Sequence, residues 1–224
     1  MPEDDSSPDS FTGALPEILP IFPLTGVLLL PRGRLPLNIF EPRYRAMTRD
    51  AMDGERLIGM VQPADPPIRE MNPTVYPTGC AGRITSFSET EDGRFLITLT
   101  GVSRFRIKEE LPLLSGYRRV VAEWEDFIDD RNPDQAGFDR SRLTLGLRNF
   151  FSQRQVEADW NAIDQAPGEH LVTSIAMMCP FAPNEKQALL EAKTLEERAR
   201  LLTALIEMSL TASTPDPEGG ITRH

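Results

Sequence analysis

The residues able to do chemistry are few and poorly matched to one another. Cysteine occurs only at Cys80 and Cys179, and histidine only at His170 and His224. Neither cysteine belongs to a CxxC, which argues against a zinc site and a disulfide framework. No Gly-Lys dipeptide occurs, so a P-loop ATPase is excluded, and neither GxSxG nor HExxH is present. Lys108, Lys186 and Lys193 are the only lysines, so a serine–lysine dyad would need a special site that no pattern marks. Gly79-Cys80-Ala81-Gly82 has half the form of a phosphate loop but leads into a strand pattern, and reads as a turn. Cys80 has no histidine near it in sequence, and a free cysteine ordinarily serves as a small buried hydrophobe. An enzyme with a cryptic Cys80 thiol therefore stays only as an alternative. His170, beside Glu169 on an amphipathic stretch, reads as a cap or surface residue. No carboxylate pair comes with the apolar context that would raise a pKa for acid–base work. The expectation is a non-enzymatic protein with no cofactor and no metal.

Charge narrows the partners. Against 24 Lys+Arg stand 34 Asp+Glu, a net charge of −10, which opposes non-specific attraction to nucleic acid or anionic lipid. Most of the basic residues are arginines, whose ordinary role is ion pairing with carboxylates at the surface. The uncharged stretch at residues 18–31 contains prolines and is too short to cross a bilayer. The acidic start Met1-Pro2-Glu3-Asp4-Asp5 lacks the basic character of a signal peptide. A cytoplasmic protein is expected, and its 224 residues suffice for a sizeable core without staples.

Two textures must position whatever function there is. Residues 1–13 and 211–224 are poor in apolar side chains and read as disordered tails. Between them, residues 14–128 show strand signals and residues 129–210 helical ones, with the acidic stretch 123–139 read as a linker and the boundary near Asp130. In the first part, residues 21–24, 27–30 and 57–61 are apolar runs of strand length. Leu35, Leu37 and Ile39 line one face of a strand that Pro36 places at a sheet edge. Asp92-Gly93 marks a hairpin. After it Phe95, Ile97, Leu99, Gly101, Ser103, Phe105 and Ile107 share one parity, with polar neighbours such as Arg94, Arg104 and Arg106, and Gly101 permits a bulge. Glu41-Pro42 opens a helix with the stripe Tyr44, Met47, Ala51 and Met52. In the second part, Leu143, Leu147, Phe150 and Phe151 share a helix face, and Leu171, Ile175 and Met178 share another. Asn184 with Gln187 and Thr194 with Glu197 read as capping boxes, the second opening a helix that buries Leu201, Leu202, Leu205, Ile206 and Met208. The reading is α+β: a small β barrel followed by a bundle of four or five helices.

An interaction surface remains. The loop from Met71 to Pro77 carries apolar residues, Tyr76 among them, that a solvated loop does not need, and the edge from Leu35 to Phe40 could accept an extended chain by strand addition. The ordinary role for these residues is to cover the barrel end.

Leu19-Pro20-Ile21-Phe22-Pro23-Leu24, residues 27–33 and Leu37-Asn38-Ile39-Phe40-Glu41-Pro42-Arg43-Tyr44-Arg45, in that order, resemble the amino-terminal substrate-binding domain of Lon-type ATP-dependent proteases. The segments at Gly79, Asp92 and Gly101 and the run from Pro180 to Glu191 sit where that family has matching ones, so the likeness covers about residues 15–210. The resemblance implies a PUA-like β pseudo-barrel followed by an α-helical bundle, and recognition of polypeptide clients or a protease or chaperone partner. It implies a stand-alone domain without ATPase or peptidase modules. The candidate peptide-binding residues are Leu37, Ile39, Phe40, Glu41, Pro42, Arg43 and Tyr76, with Arg43 and Arg45 pairing acidic groups. RNA binding is the alternative that a PUA-like barrel and arginines 94, 104, 106, 118 and 119 would suggest.

Overall fold

The computed structural model describes residues 13–64, 73–133 and 137–212. The expected tails therefore lie almost wholly outside the described residues, as do Met71 and Asn72. Six strands come first: Ile18–Pro23 (β1), Arg34–Ile39 (β2), Leu57–Val61 (β3), Thr78–Glu89 (β4), Phe95–Leu114 (β5) and Tyr117–Glu123 (β6). One helix, Pro42–Asp53 (α1), interrupts them. Five follow: Arg140–Gln153 (α2), Trp160–Gln165 (α3), Gly168–Met178 (α4), Pro183–Glu191 (α5) and Leu195–Ala212 (α6). The architecture is α+β with a helical C-terminal part, as the sequence patterns indicate.

The sheet runs β2-β5-β4-β3-β1-β6, and the long β5 also pairs with β6, so the strands curl into a closed barrel. β2 is bonded only to β5, which makes it the open edge and explains why Pro36 is tolerated there. β3 shows why its run is continuously apolar. Leu57 and Val61 join Leu19, Ile21, Phe105 and Val120 in a cluster drawn from the strands. Ile58 and Met60 point the other way, into a larger cluster shared with Leu143, Leu147, Val172, Leu189, Leu202 and Ile206 of the helices. A strand buried on both faces has no polar alternation to show.

Gly101 is where the barrel is stitched. Its N–H donates to the Gly33 carbonyl at 2.8 Å and its carbonyl accepts from Arg32 N–H at 2.7 Å. A Cβ there would collide with the Leu30 carbonyl oxygen. The register against β4 slips at the neighbouring residue, so Val102 is the extra residue of a bulge. One consequence is that the single parity expected from Phe95 to Ile107 serves two cores: Phe95, Ile97 and Leu99 pack toward the helices, Phe105 among the strands.

Several expectations are corrected. Residues 27–30 are not a strand but an extended segment whose Leu28, Leu29 and Leu30 plug the shared core. Gly79-Cys80-Ala81-Gly82 is not a turn; it is the interior of β4. The glycines are there because a Cβ on Gly79 would lie 2.7 Å from the Met60 carbonyl oxygen, and one on Gly82 2.7 Å from Leu29. Helix α5 starts at Pro183, with Glu185 accepting from Ala182 N–H at 2.7 Å, so the Asn184 box is displaced by two residues. Thr194 does accept from Glu197 N–H, at 3.1 Å, but Glu197 reaches back to Lys193 N–H. Met178 and Met208 are 75% and 63% exposed, at the last turns of α4 and α6, where the stripes run past their partners. The stretch read as a linker contains a 3-10 segment, Glu125–Arg131, whose Phe127 and Asp130 are buried. No helix among the described residues is long and apolar enough to cross a membrane.

Candidate functional site

The turn from β2 into α1 exposes what the strand pattern hides. β2 alternates, so Leu35 and Leu37 lie half-buried against the shared core while Pro36 and Asn38 face outward. Ile39 is 1% exposed and is a core residue with no surface to offer, which removes its side chain from the candidate contacts. Phe40, one residue on, is 63% exposed. It continues the parity of Asn38, which pairs with Leu96 of β5, itself 44% exposed. Two large apolar side chains thus stand on the outer face of the barrel edge, where burial against a partner would gain roughly 1.5–3 kcal/mol each.

Glu41 is the N-cap of α1, and its carbonyl accepts from Tyr44 N–H and Arg45 N–H at 3.0 and 2.9 Å. Its carboxylate accepts from Arg43 Nε at 3.0 Å. Pro42 follows in the first turn, exposed, where the missing N–H costs nothing. Arg43 lies over the Tyr44 ring at 4.5 Å, and that ring packs on Phe22 at 4.2 Å. Burial raises the Tyr44 phenol above its ordinary pKa, so it stays neutral. Arg45 and Arg49 stack on the Phe95 ring at 5.2 and 5.1 Å. The Arg45 Nε is buried with no hydrogen-bond partner. The corner combines two exposed apolar side chains, Phe40 and Leu96, with three arginines of α1 that lie over the Tyr44 and Phe95 rings.

Tyr76 belongs to the loop between β3 and β4. It is half-buried, its N–H donates to the Gln62 carbonyl at 2.9 Å, and its loop is tied by the Pro63–Val75 bridge. Leu96 and the Arg49 stack were missed in the sequence. Leu96 was detectable, since it is an apolar residue at a position whose neighbours of the same parity, Arg94 and Thr98, are polar.

The five arginines weighed for RNA form no free basic patch. Arg94 pairs with Asp92, Arg104 with Asp130, Arg106 with Asp126 and Arg118 with Glu110, while Arg119 donates to the Pro112 carbonyl. Arg104 and Arg118 are buried rather than on the surface as expected. Cys80 is 0% exposed and burial pushes its thiol well above the ordinary range, which contradicts the thiol-enzyme alternative. Cavities of about 350, 220 and 200 Å³ lie among the described residues, and none is lined by cysteine, serine or histidine. No group of three or more metal-ligating side chains is found among them.

Comparison with known proteins agrees with this architecture. Lon protease of Dictyoglomus thermophilum is 27% identical over 202 residues, 89% of this chain and 25% of the relative. Lon protease 2 of Sorangium cellulosum is 26% identical over 94% of this chain and 27% of the relative. The chain thus spans about a quarter of the length of these relatives. A Lon N-terminal domain protein from Xanthomonas campestris shares the fold with a TM-score of 0.60 at 22% identity, covering 84% of this chain and 97% of that one. The N-terminal domain of Mycobacterium avium complex Lon protease also gives 0.60, at 16% identity over 85% and 98%. Residues 18–208 match the model of the ATP-dependent protease La (LON) substrate-binding domain, and the chain belongs to that family.

Proposed function

We propose that this chain binds polypeptide without catalysing any reaction on it, using the β2–α1 corner. The observation that carries the reading is Phe40, 63% exposed beside an open sheet edge in a member of a substrate-binding family. A bound segment would lay apolar side chains on Phe40 and Leu96, with Leu37 at the margin of the contact. Main-chain bonds to the β2 edge add affinity, and Glu41, Pro42 and Arg43 set the end of the contact. Clients with exposed apolar segments, or a protease or chaperone partner presenting such a segment, fit this corner.

The test is fluorescence anisotropy with a labelled, permanently unfolded polypeptide, comparing the wild type with F40S and the double variant F40S/L96S. Loss of about tenfold or more in affinity, the equivalent of about 1.4 kcal/mol, is expected for the double variant. Unchanged affinity with an unchanged fold sinks this placement of the site.

A further inference from the structure

The open edge carries a face as well as a corner. Arg34, Pro36 and Asn38 of β2 stand opposite Thr100, Thr98 and Leu96 of β5, and these in turn opposite Arg83, Ser86 and Ser88 of β4. Cross-strand partners share a face, so residues 34–39, 95–100 and 83–89 turn one face outward, that of Leu96 and, by parity, of Phe40. The alternate positions, Ile97 and Leu99 among them, go to the core. The only carboxylate in these three stretches is Glu89, which stands opposite the buried Phe95 on the other face and reaches Arg45 at 3.9 Å. On a chain with 34 Asp+Glu and a net charge of −10, a sheet face without a carboxylate is an exception.

Charge along this face is uneven. Arg34 is exposed, and no ion pair, hydrogen bond or ring contact holds its side chain among the described residues. The carboxylates nearest to Leu96 and Phe40 in sequence, Asp92 and Glu41, are already paired with Arg94 and Arg43. Pro36, Asn38 and Thr98, between the two ends, are neutral. Six residues separate Arg34 from Phe40, about 20 Å at the rise of a strand, and an even separation keeps both on one side. An extended chain repeats that spacing, so two of its own residues six apart meet both ends of the face at once.

We propose that this face makes the corner selective for extended segments that bring an apolar side chain to Phe40 and Leu96 and, six residues away, a carboxylate to Arg34. The inference rests on the peptide-binding reading of the corner. It adds a ligand chemistry that the net charge of the chain opposes, so local and global electrostatics pull in opposite directions.

The test is fluorescence anisotropy of the full chain with labelled Ser/Thr peptides. Each holds one Phe and, six positions to either side of it, Glu, Gln or Lys, so that either strand direction presents the charge. At low ionic strength the Glu peptide is expected to bind about two- to fivefold more tightly than the Gln peptide, with the Lys peptide weakest. Repulsion by the net charge alone gives the reverse order. The charge swap R34E is expected to invert the order, and salt at about 1 M to erase it. Glu moved to the seventh position, on the other side of a strand, is expected to lose the preference. If R34E perturbs the fold, R34Q serves, and it should level the Glu and Gln peptides. Equal affinities, a Lys-first order in the wild type, or a Glu preference kept in the Arg34 variants overturns the proposal. Where F40S/L96S still weakens all three peptides, the corner reading survives that failure. If F40S/L96S changes nothing, the corner reading falls and this inference with it.

Discussion

Two arginine–carboxylate pairs frame the molecule, and they do opposite work. Arg104 and Asp130, with side chains 5% and 9% exposed, tie β5 to the 3-10 segment, and Arg104 also reaches carbonyls at the end of α5. Arg43 and Glu41, 32% and 43% exposed, sit two residues apart beside an unburied phenylalanine. The first pair holds parts of the chain distant in sequence together, and breaking it leaves a charge in a dry place. The second merely orders a solvated corner. Burial, not residue type, decides which arginine is architecture and which is surface.

The sharpest way to break that contrast is at the junction. R104M or D130A is expected to destabilise by about 3–5 kcal/mol in urea unfolding, because one buried charge is stranded. The double variant should cost less than the sum of the two, and strict additivity would mean that the pair is not coupled. Next comes G101A, expected to cost about 2–4 kcal/mol because its methyl collides with backbone, not with a side chain that can turn away. A loss under about 1 kcal/mol would show that the stitch between Gly33 and Gly101 is loose.

A third measurement uses pH. Burial raises Cys80 and Cys179, the latter to about 11, and burial with the 2.7 Å bond to Asp50 raises Tyr117 to about 12. The folded chain then holds protons that the unfolded chain has released, so stability falls as pH rises from about 8.5 through these values. A denaturation midpoint that stays level from pH 8 to pH 11 contradicts this, and so does rapid alkylation of the native thiols at pH 8. The smallest effects belong to the exposed corner. E41Q and F40S should each shift stability by less than about 0.5 kcal/mol, and a loss near 2 kcal/mol in either would move that corner from surface to core.

Much of this was legible in the chain. Alternation at Leu35, Leu37 and Ile39, the Pro36 edge, the Asp92-Gly93 hairpin and the Glu41-Pro42 helix start are local, and local rules found them. The segment 27–30 was not, because an apolar run says that side chains are buried without saying that the backbone is paired. Arg104 looked like one of several outward arginines, since only the bulge at Val102 and the approach of α5 turn it inward, and both are tertiary events. The same limit hid Ile39 among the site residues: parity put it on the face of Leu37, but not how far that face sinks as the strand enters α1. Arg198 carried no signal at all, as its burial depends on where two helix ends meet.

Pro36 has a consequence for traffic at the open rim. A proline offers no N–H, so a visiting chain laid along β2 meets a ladder with a rung missing. Such a rim releases what it catches instead of growing by accretion, and copies of this protein are discouraged from zipping to one another. Selectivity then falls to the side chains around the turn, and dwell times are expected to be short.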